Sequence, residues 1–328
     1  MIRIEDFKSE ELQASLFIEE VLDPELACDF FLGLFEPYVE DATGVPLALQ
    51  IMNDWDLFTD DDTANRVIGE ILNYPQMSNL LINANTPVVY SQLVNGSLDA
   101  WEKFKHSIKH ESRFLCDLTH LEVLGLEQGL SDSEEVINKK EIFYRARIAN
   151  KKNEKYTKRM MGAPPAEIAS AGRANPEGIS YLYLCTDQET CCYEVRAAYL
   201  DRVWIGKFGV KAGESLKLIN LVPRHRSQQL SLDSIPSNIL RYRLLKNAIS
   251  KDLSTPISRH DNASIEYLPT QFICEYIRLK LKKDGIIFQS SLKMDSANIV
   301  LFNEKQVICR EVKEYEITSI DIHSKLVN

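Results

Sequence analysis

The stretch from Ala163 to Leu200, APPAEIASAGRANPEGISYLYLCTDQETCCYEVRAAYL, constrains this chain more than any other. Pro164, Pro165, Gly172, Asn175, Pro176 and Gly178 crowd its first half. No regular element forms there, because proline has no amide donor and glycine admits positive φ. That half is a shaped loop. Ile179 to Cys185 then alternates aromatic and aliphatic residues around Tyr181 and Tyr183, the pattern of a strand buried on at least one face. Thr186 or Asp187 supplies a helix cap, since a side-chain oxygen there accepts from the orphan donors of the first turn. The helix carries Glu189 in its first turn and Glu194 about two turns in, with Cys191, Val195 and Ala198 expected to pack inward. A carboxylate beside a packed face is costly unless paired. Arg173 on the loop, Tyr183 on the strand and Glu194 on the helix are therefore expected to converge at one end of a strand-helix unit. On the residues alone, an architectural Arg173–Glu194 ion pair with Tyr183 in the core explains the same spacing.

Either side of this unit the pattern is mixed. Ile142 to Ile148 (IFYRARI) reads as a strand that puts Arg145 on one face with Arg147, and Tyr144 on the other. The basic run Asn150 to Met160 precedes the suspected site and is placed to steer an anionic substrate. Val203–Val210 and Leu216–Leu221 read as strands, Ile239–Ser250 as a helix, and Arg259–Tyr267, with His260, as a polar loop. Pro269–Lys283 reads as an amphipathic helix with Thr270 and Gln271 in its first turn. Gly285–Gln289 is an apolar strand after an Asp-Gly turn signal, and it delivers Ser290 and Ser291. Only one of these serines faces inward if the strand continues, because neighbours alternate. Ile299–Phe302 and Val307–Val312 complete an antiparallel set.

From Met1 to about Glu134 the chain reads as mostly helical. Glu11–Leu22, Asn65–Ile82 with a break at Pro75, and Trp101–Leu118 carry helical periodicity, the last with Trp101, Phe104, Ile108 and Leu115 on one face. Asp54–Thr63 is an acidic loop that caps the next helix; it lacks the glycine turn and terminal glutamate of a calcium loop. His106 and His110 stand four apart without a third ligand, so no metal is expected. Ser131–Glu141 (SDSEEVINKKE) is the expected linker. It divides the chain near Lys139, into a helical domain 1–138 and a mixed domain 139–328.

Composition narrows the function classes. A net charge of -10 over 328 residues argues against a general nucleic-acid-binding surface. No apolar run approaches the ~18 to 20 residues of a spanning helix, and the acidic N-terminus lacks the order of a signal peptide. The seven cysteines are odd in number and scattered without zinc spacing, which suits reduced thiols in a cytoplasmic protein. No glycine-rich dinucleotide fingerprint is present, so hydride transfer with a bound cofactor is disfavoured and no cofactor is expected.

Several segments, in one order, resemble the RES-domain family: FYRAR at Phe143–Arg147, GRANPEGISYLYL at Gly172–Leu184, YEVR at Tyr193–Arg196, YLPTQFICEYI at Tyr267–Ile277, DGIIFQSS at Asp284–Ser291 and NIVLF at Asn298–Phe302. The resemblance implies an α+β chain, its helical N-terminal part followed by a mixed, largely antiparallel ADP-ribosyltransferase-like domain. It implies NAD as a substrate that is consumed, the nicotinamide–ribose bond being cleaved and ADP-ribose passed to water, phosphate or a macromolecule. Carried over residue by residue, it makes Arg145 the phosphate-gripping arginine, with Arg147 a lesser candidate, and Arg173 a second phosphate or ribose contact. Tyr183 becomes a nicotinamide or ribose contact, Glu194 the carboxylate that orients the ribose, and Ser290 the motif serine, with Ser291 the alternative. Cys185 departs from the family, which has a small residue such as alanine there. DWDLF and the WEKFKHSIKHESRF run resemble a HEPN-related N-terminal domain. Arg113 and His120 satisfy the arginine-to-histidine spacing of HEPN ribonucleases, although Phe114 replaces the usual polar residue. The expected setting is a toxin or anti-phage defence effector whose N-terminal domain meets an antitoxin or sensor protein. A homodimer, a macromolecule-modifying ADP-ribosyltransferase and a metal-independent ribonuclease using Arg113 and His120 are the alternatives left open.

Overall fold

The computed structural model describes residues 31–55, 58, 60–123, 125–149, 154–223, 236–256, 262–293 and 296–320. The helix expected at Glu11–Leu22, His260 and the tail after residue 320 lie outside them. The chain packs as two units, Met1–His106 with Cys116–Asp132 and Arg226–Ala248, and Ser107–Leu115 with Ser133–His225 and Ile249–Asn328.

The first unit holds β1 (Tyr38–Pro46), α1 (Leu47–Trp55), α2 (Asp61–Leu72), β2 (Pro87–Tyr90), most of α3 (Gln92–His110), α4 (Thr119–Val123) and α5 (Leu126–Ser131). The antiparallel pair β1–β2 adds a small sheet to a region read as helical. Asp60 caps α2 as its position suggests, accepting from the Thr63 amide at 2.8 Å. Asp54, read as part of the same acidic loop, instead ends up inside α1, where its carboxylate accepts from the Tyr38 hydroxyl (2.9 Å), the Tyr90 hydroxyl (2.8 Å) and the Gln50 amide (2.8 Å). Burial raises its pKa, and those three donors offset the cost of enclosing it.

The helix expected over Trp101–Leu118 stops at His110. Trp101, Phe104 and Ile108 are buried, whereas Leu115 is 89% exposed. The amides of Glu111 and Ser112 both donate to the Ser107 carbonyl, and the Ser112 hydroxyl turns to the Leu115 carbonyl, so side-chain and backbone bonds close the helix before its apolar period ends.

The second unit is built on one sheet. Its elements are β3 (Glu134–Ile137), β4 (Ile142–Ile148), β5 (Leu182–Cys185), α6 (Gln188–Glu194), β6 (Arg202–Val210), β7 (Leu216–Asn220), the end of α7 (Pro236–Ser254), α8 (Ala263–Glu266), α9 (Leu268–Leu279), β8 (Gly285–Gln289), β9 (Ala297–Leu301) and β10 (Val307–Glu316). Among the described residues the strand order is β10-β6-β4-β5-β9-β8-β7-β3, antiparallel throughout except for β7 beside β8. The architecture is α+β, with a mixed and largely antiparallel sheet. The segment read as a linker supplies β3: Ile137 pairs with Leu216 and buries in the core, and Glu134 and Glu135 are held by Lys283 and by the Asn220 amide. Paired glutamates gave that strand its linker-like composition. Among the described residues no helix is long and apolar enough to cross a membrane.

Leu182 and Leu184 of β5 join Phe143, Phe208, Leu218, Ile287 and Leu301 in a core on one face of the sheet. At the start of β8 the backbones crowd together. A Cβ on Gly285 would lie 2.1 Å from the Val300 carbonyl oxygen, which only glycine avoids. Gly285→Ala is accordingly expected to cost about 3 kcal/mol, the upper end for overpacking, read as a lower urea midpoint.

Candidate active site

The loop before β5 is held by buried amides. Asn175, 3% exposed, donates to the carbonyls of Ser170 (3.0 Å), Pro176 (3.1 Å) and Ile179 (2.8 Å), and its own side-chain oxygen accepts from the Tyr183 hydroxyl at 2.6 Å. Gln271, in the first turn of α9, donates to the Gly172 and Asn175 carbonyls at 2.8 and 3.0 Å, and Thr270 donates to Arg173 O at 2.6 Å. Gly172 has to be glycine, since a Cβ would sit 2.6 Å from the Tyr183 hydroxyl. That hydroxyl also accepts from the Ala174 amide, and burial raises its pKa. Arg173 then extends from a fixed backbone and donates to Leu253 O (2.7 Å) and Ser254 O (2.8 Å), the last carbonyls of α7.

Glu194 is placed by α6. Asp187 caps this helix, accepting from the Thr190 amide and hydroxyl at 2.9 and 2.6 Å. Burial works against the Asp187 charge, but bonds from Ser296 and Thr190 and the charge of Lys293 hold its pKa at about 2. Glu194 is the last residue of α6. Cys191 is buried as expected, but Val195 is half-buried and Ala198 exposed, because the helix ends before reaching them. Glu194 is itself exposed, and its Oε1 accepts from the Asn298 amide at 2.7 Å and the Ser290 hydroxyl at 3.4 Å. Among the described residues no donor meets Oε2.

A cavity of about 370 Å³ opens where β4 and β5 share a single pairing, Tyr144 with Cys185. Arg145, Arg173, Tyr183 and Glu194 all line it. Ser290, 3% exposed, joins them through Glu194, while Ser291 is exposed and has no place in the arrangement. Arg145 and Arg147 both donate to the Gly162 carbonyl, at 2.9 and 3.2 Å, so they share a strand face; Tyr144 packs on the other, with Cys185 and Cys191. Burial, with the neighbouring Arg147 charge, brings the Arg145 guanidinium down to about 10, still cationic at neutral pH. Among the described residues neither Arg145 nor Arg173 has a carboxylate at ion-pair distance. Glu194 is held by neutral groups. The cavity thus carries two cations and one anion that, among the described residues, form no ion pair, although the charge of Glu304 reaches Arg145 from beyond ion-pair distance.

Sequence reasoning passed over Asn298, whose one signal was an amide opening an otherwise apolar strand, and it gave Asn175 and Gln271 no role beyond a turn and a first turn. Arg113 lies exposed in the loop after α3, and His120 is the second residue of α4.

A family model described as RES domain matches residues 142–321, just over half of the chain. Among solved structures the chain is similar to one in the crystal structure of the M. tuberculosis MbcT–MbcA toxin–antitoxin complex, at 14% identity and a TM-score of 0.36, over 58% of this chain and 92% of that one. No curated protein matches.

Two outcomes follow from the scaffold. Asn175→Ala removes four side-chain hydrogen bonds, to three carbonyls and a tyrosine hydroxyl, and is expected to cost about 3 kcal/mol or more, seen as a lower melting temperature and faster proteolysis between residues 163 and 181. Asp187→Ala should cost about 1 kcal/mol as a lost cap. Because the Asp187 carboxyl is held below its ordinary 3.8, its contribution is present in full above about pH 4 and fades as pH falls through about 2, so wild type and variant should converge in acid melts.

Proposed function

The chain belongs to the RES-domain family, and on that premise we propose that its second unit consumes NAD by breaking the bond between nicotinamide and ribose. The observation that carries this reading is the charge pattern of the cavity among the described residues: Arg145 and Arg173 without a carboxylate at ion-pair distance, and Glu194 bonded to the neutral Asn298 and Ser290. A dinucleotide with an anionic pyrophosphate and a cationic nicotinamide ring supplies the missing charges in one molecule. At about 370 Å³ the cavity lies near the lower end for small-molecule sites, which suits the nicotinamide riboside end with the remainder over the mouth.

The chemistry needs little more. As the glycosidic bond lengthens, its electron pair leaves with nicotinamide and positive charge develops on the ribose. Glu194 offers Oε2 to the ribose hydroxyls and places its charge where that cation forms, while Oε1 stays bonded to Asn298 and Ser290. The guanidinium N–H groups of Arg145 and Arg173 not used on carbonyls bind the pyrophosphate oxygens. With its hydroxyl bound to Asn175, Tyr183 contributes its ring as a surface for nicotinamide. The ADP-ribosyl group then passes to water, phosphate or a macromolecule. Unchecked loss of NAD fits a toxin or defence effector, with the first unit as the surface for an antitoxin or sensor.

Purified protein incubated with NAD, with and without inorganic phosphate, should release nicotinamide together with ADP-ribose or its phosphorylated form. Glu194→Gln keeps the shape and removes the charge, so it should slow release by about 10²- to 10³-fold with an unchanged melting temperature. A wild type that leaves NAD intact, or a glutamine variant of equal rate, sinks the reading.

A further inference from the structure

The cavity wall holds a side-chain relay that the proposed chemistry does not itself require. Cys185 on β5 and Asn298 on β9 are cross-strand partners, 5% and 7% exposed. The Cys185 thiol donates to the Asn298 side-chain oxygen at 3.3 Å, and the Asn298 amide nitrogen donates to Glu194 Oε1 at 2.7 Å. We propose that Cys185 and Asn298 are positioning residues for Glu194: the thiol anchors the oxygen arm of the Asn298 amide, and the amide aims the carboxylate so that Oε2 meets the ligand. This rests on the reading of Glu194 as the carboxylate that meets the ribose.

A carboxamide has nearly the same shape in either flip, but one arm only accepts and the other only donates. An ionised carboxylate only accepts, so just one flip binds Glu194; the other sets oxygen against oxygen. The carboxylate therefore selects that flip, and the group on the far arm decides whether the oxygen left over has a donor. Cys185 has a proton to give there. Burial raises the pKa of its thiol, and the charges of Glu194 and Asp187 and the Cys192 thiol add to this against the opposing charge of Arg145, so it stays a protonated donor. The small residue that the family carries at this position would leave the amide oxygen without that donor. In this chain the cysteine supplies that donor and anchors the amide, and a serine could anchor it too.

Steady-state kinetics on the full chain test this. Cys185→Ala is expected to lower kcat about 3- to 10-fold, the range for one lost neutral hydrogen bond, with KM within about twofold; Cys185→Ser should regain most of the loss. Asn298→Asp sets a second carboxyl against Glu194, and since two close carboxylates cannot both ionise freely, the acid limb of the kcat profile should move up. A packing role would lower the folded fraction and leave the kcat of the folded Cys185→Ala protein unchanged. The proposal fails if the alanine and serine variants at 185 match each other, or if the limb does not move. A readout free of catalysis separates it from the functional reading: the side-chain amide resonance of Asn298 should shift as Glu194 titrates and cease to do so in Glu194→Gln. If wild type spares NAD while this resonance tracks Glu194, the functional reading fails and the positioning stands. If the resonance ignores Glu194, the positioning fails whatever the enzyme does.

Discussion

β4 and β5 touch through one pairing, Tyr144 with Cys185, whereas β4 and β6 stay in register from Ile142 to Ile148. That parting is what the site depends on. A fully zipped β4–β5 ladder would close the sheet and leave no floor for a ligand. A complete break would separate the strand that carries Arg145 from the one that carries Tyr183. One shared pairing keeps both in a single sheet and opens a cavity lined by strands on one side and by the Gly172 loop and α6 on the other.

The loop over this opening is rigid for the same economy of hydrogen bonds. Irregular backbone near a core must find partners for its amides and carbonyls. Here Asn175, Gln271 and Thr270 supply them, and Tyr183 adds its hydroxyl. The arrangement also settles the arginines. Carbonyl oxygens hold Arg145 and Arg173 in place without cancelling their charge, as a carboxylate would. Position and charge are thereby supplied by different atoms, and the charge stays available to a ligand.

Parts of this were legible in the chain. The limits of β4 and β8 follow from local signals, alternation around Tyr144 and Arg145 in one and an Asp-Gly turn in the other. The Asp187 cap is visible for the same reason, since its partner lies three residues on. Signals that depend on distant partners were not. Gln271 meets Asn175 across 96 positions and Asn298 meets Glu194 across 104, and nothing local marks an amide for such a bond. The acidic run at Glu134 misled because its charges are answered by Lys283 and Asn220, far along the chain. Asp54 misled in the opposite sense, an apparent surface acid that tyrosines enclose.

The sheet has two outer margins, and they are protected differently. β3 is only four residues long, too brief a template for another chain. β10 is ten residues long and would be an inviting one, but it carries Arg310, Glu311, Lys313, Glu314 and Glu316 along its length. A second copy lying antiparallel or in register on that strand would have to desolvate this row of charge. On an edge of that length, charge takes the place that brevity holds on the other.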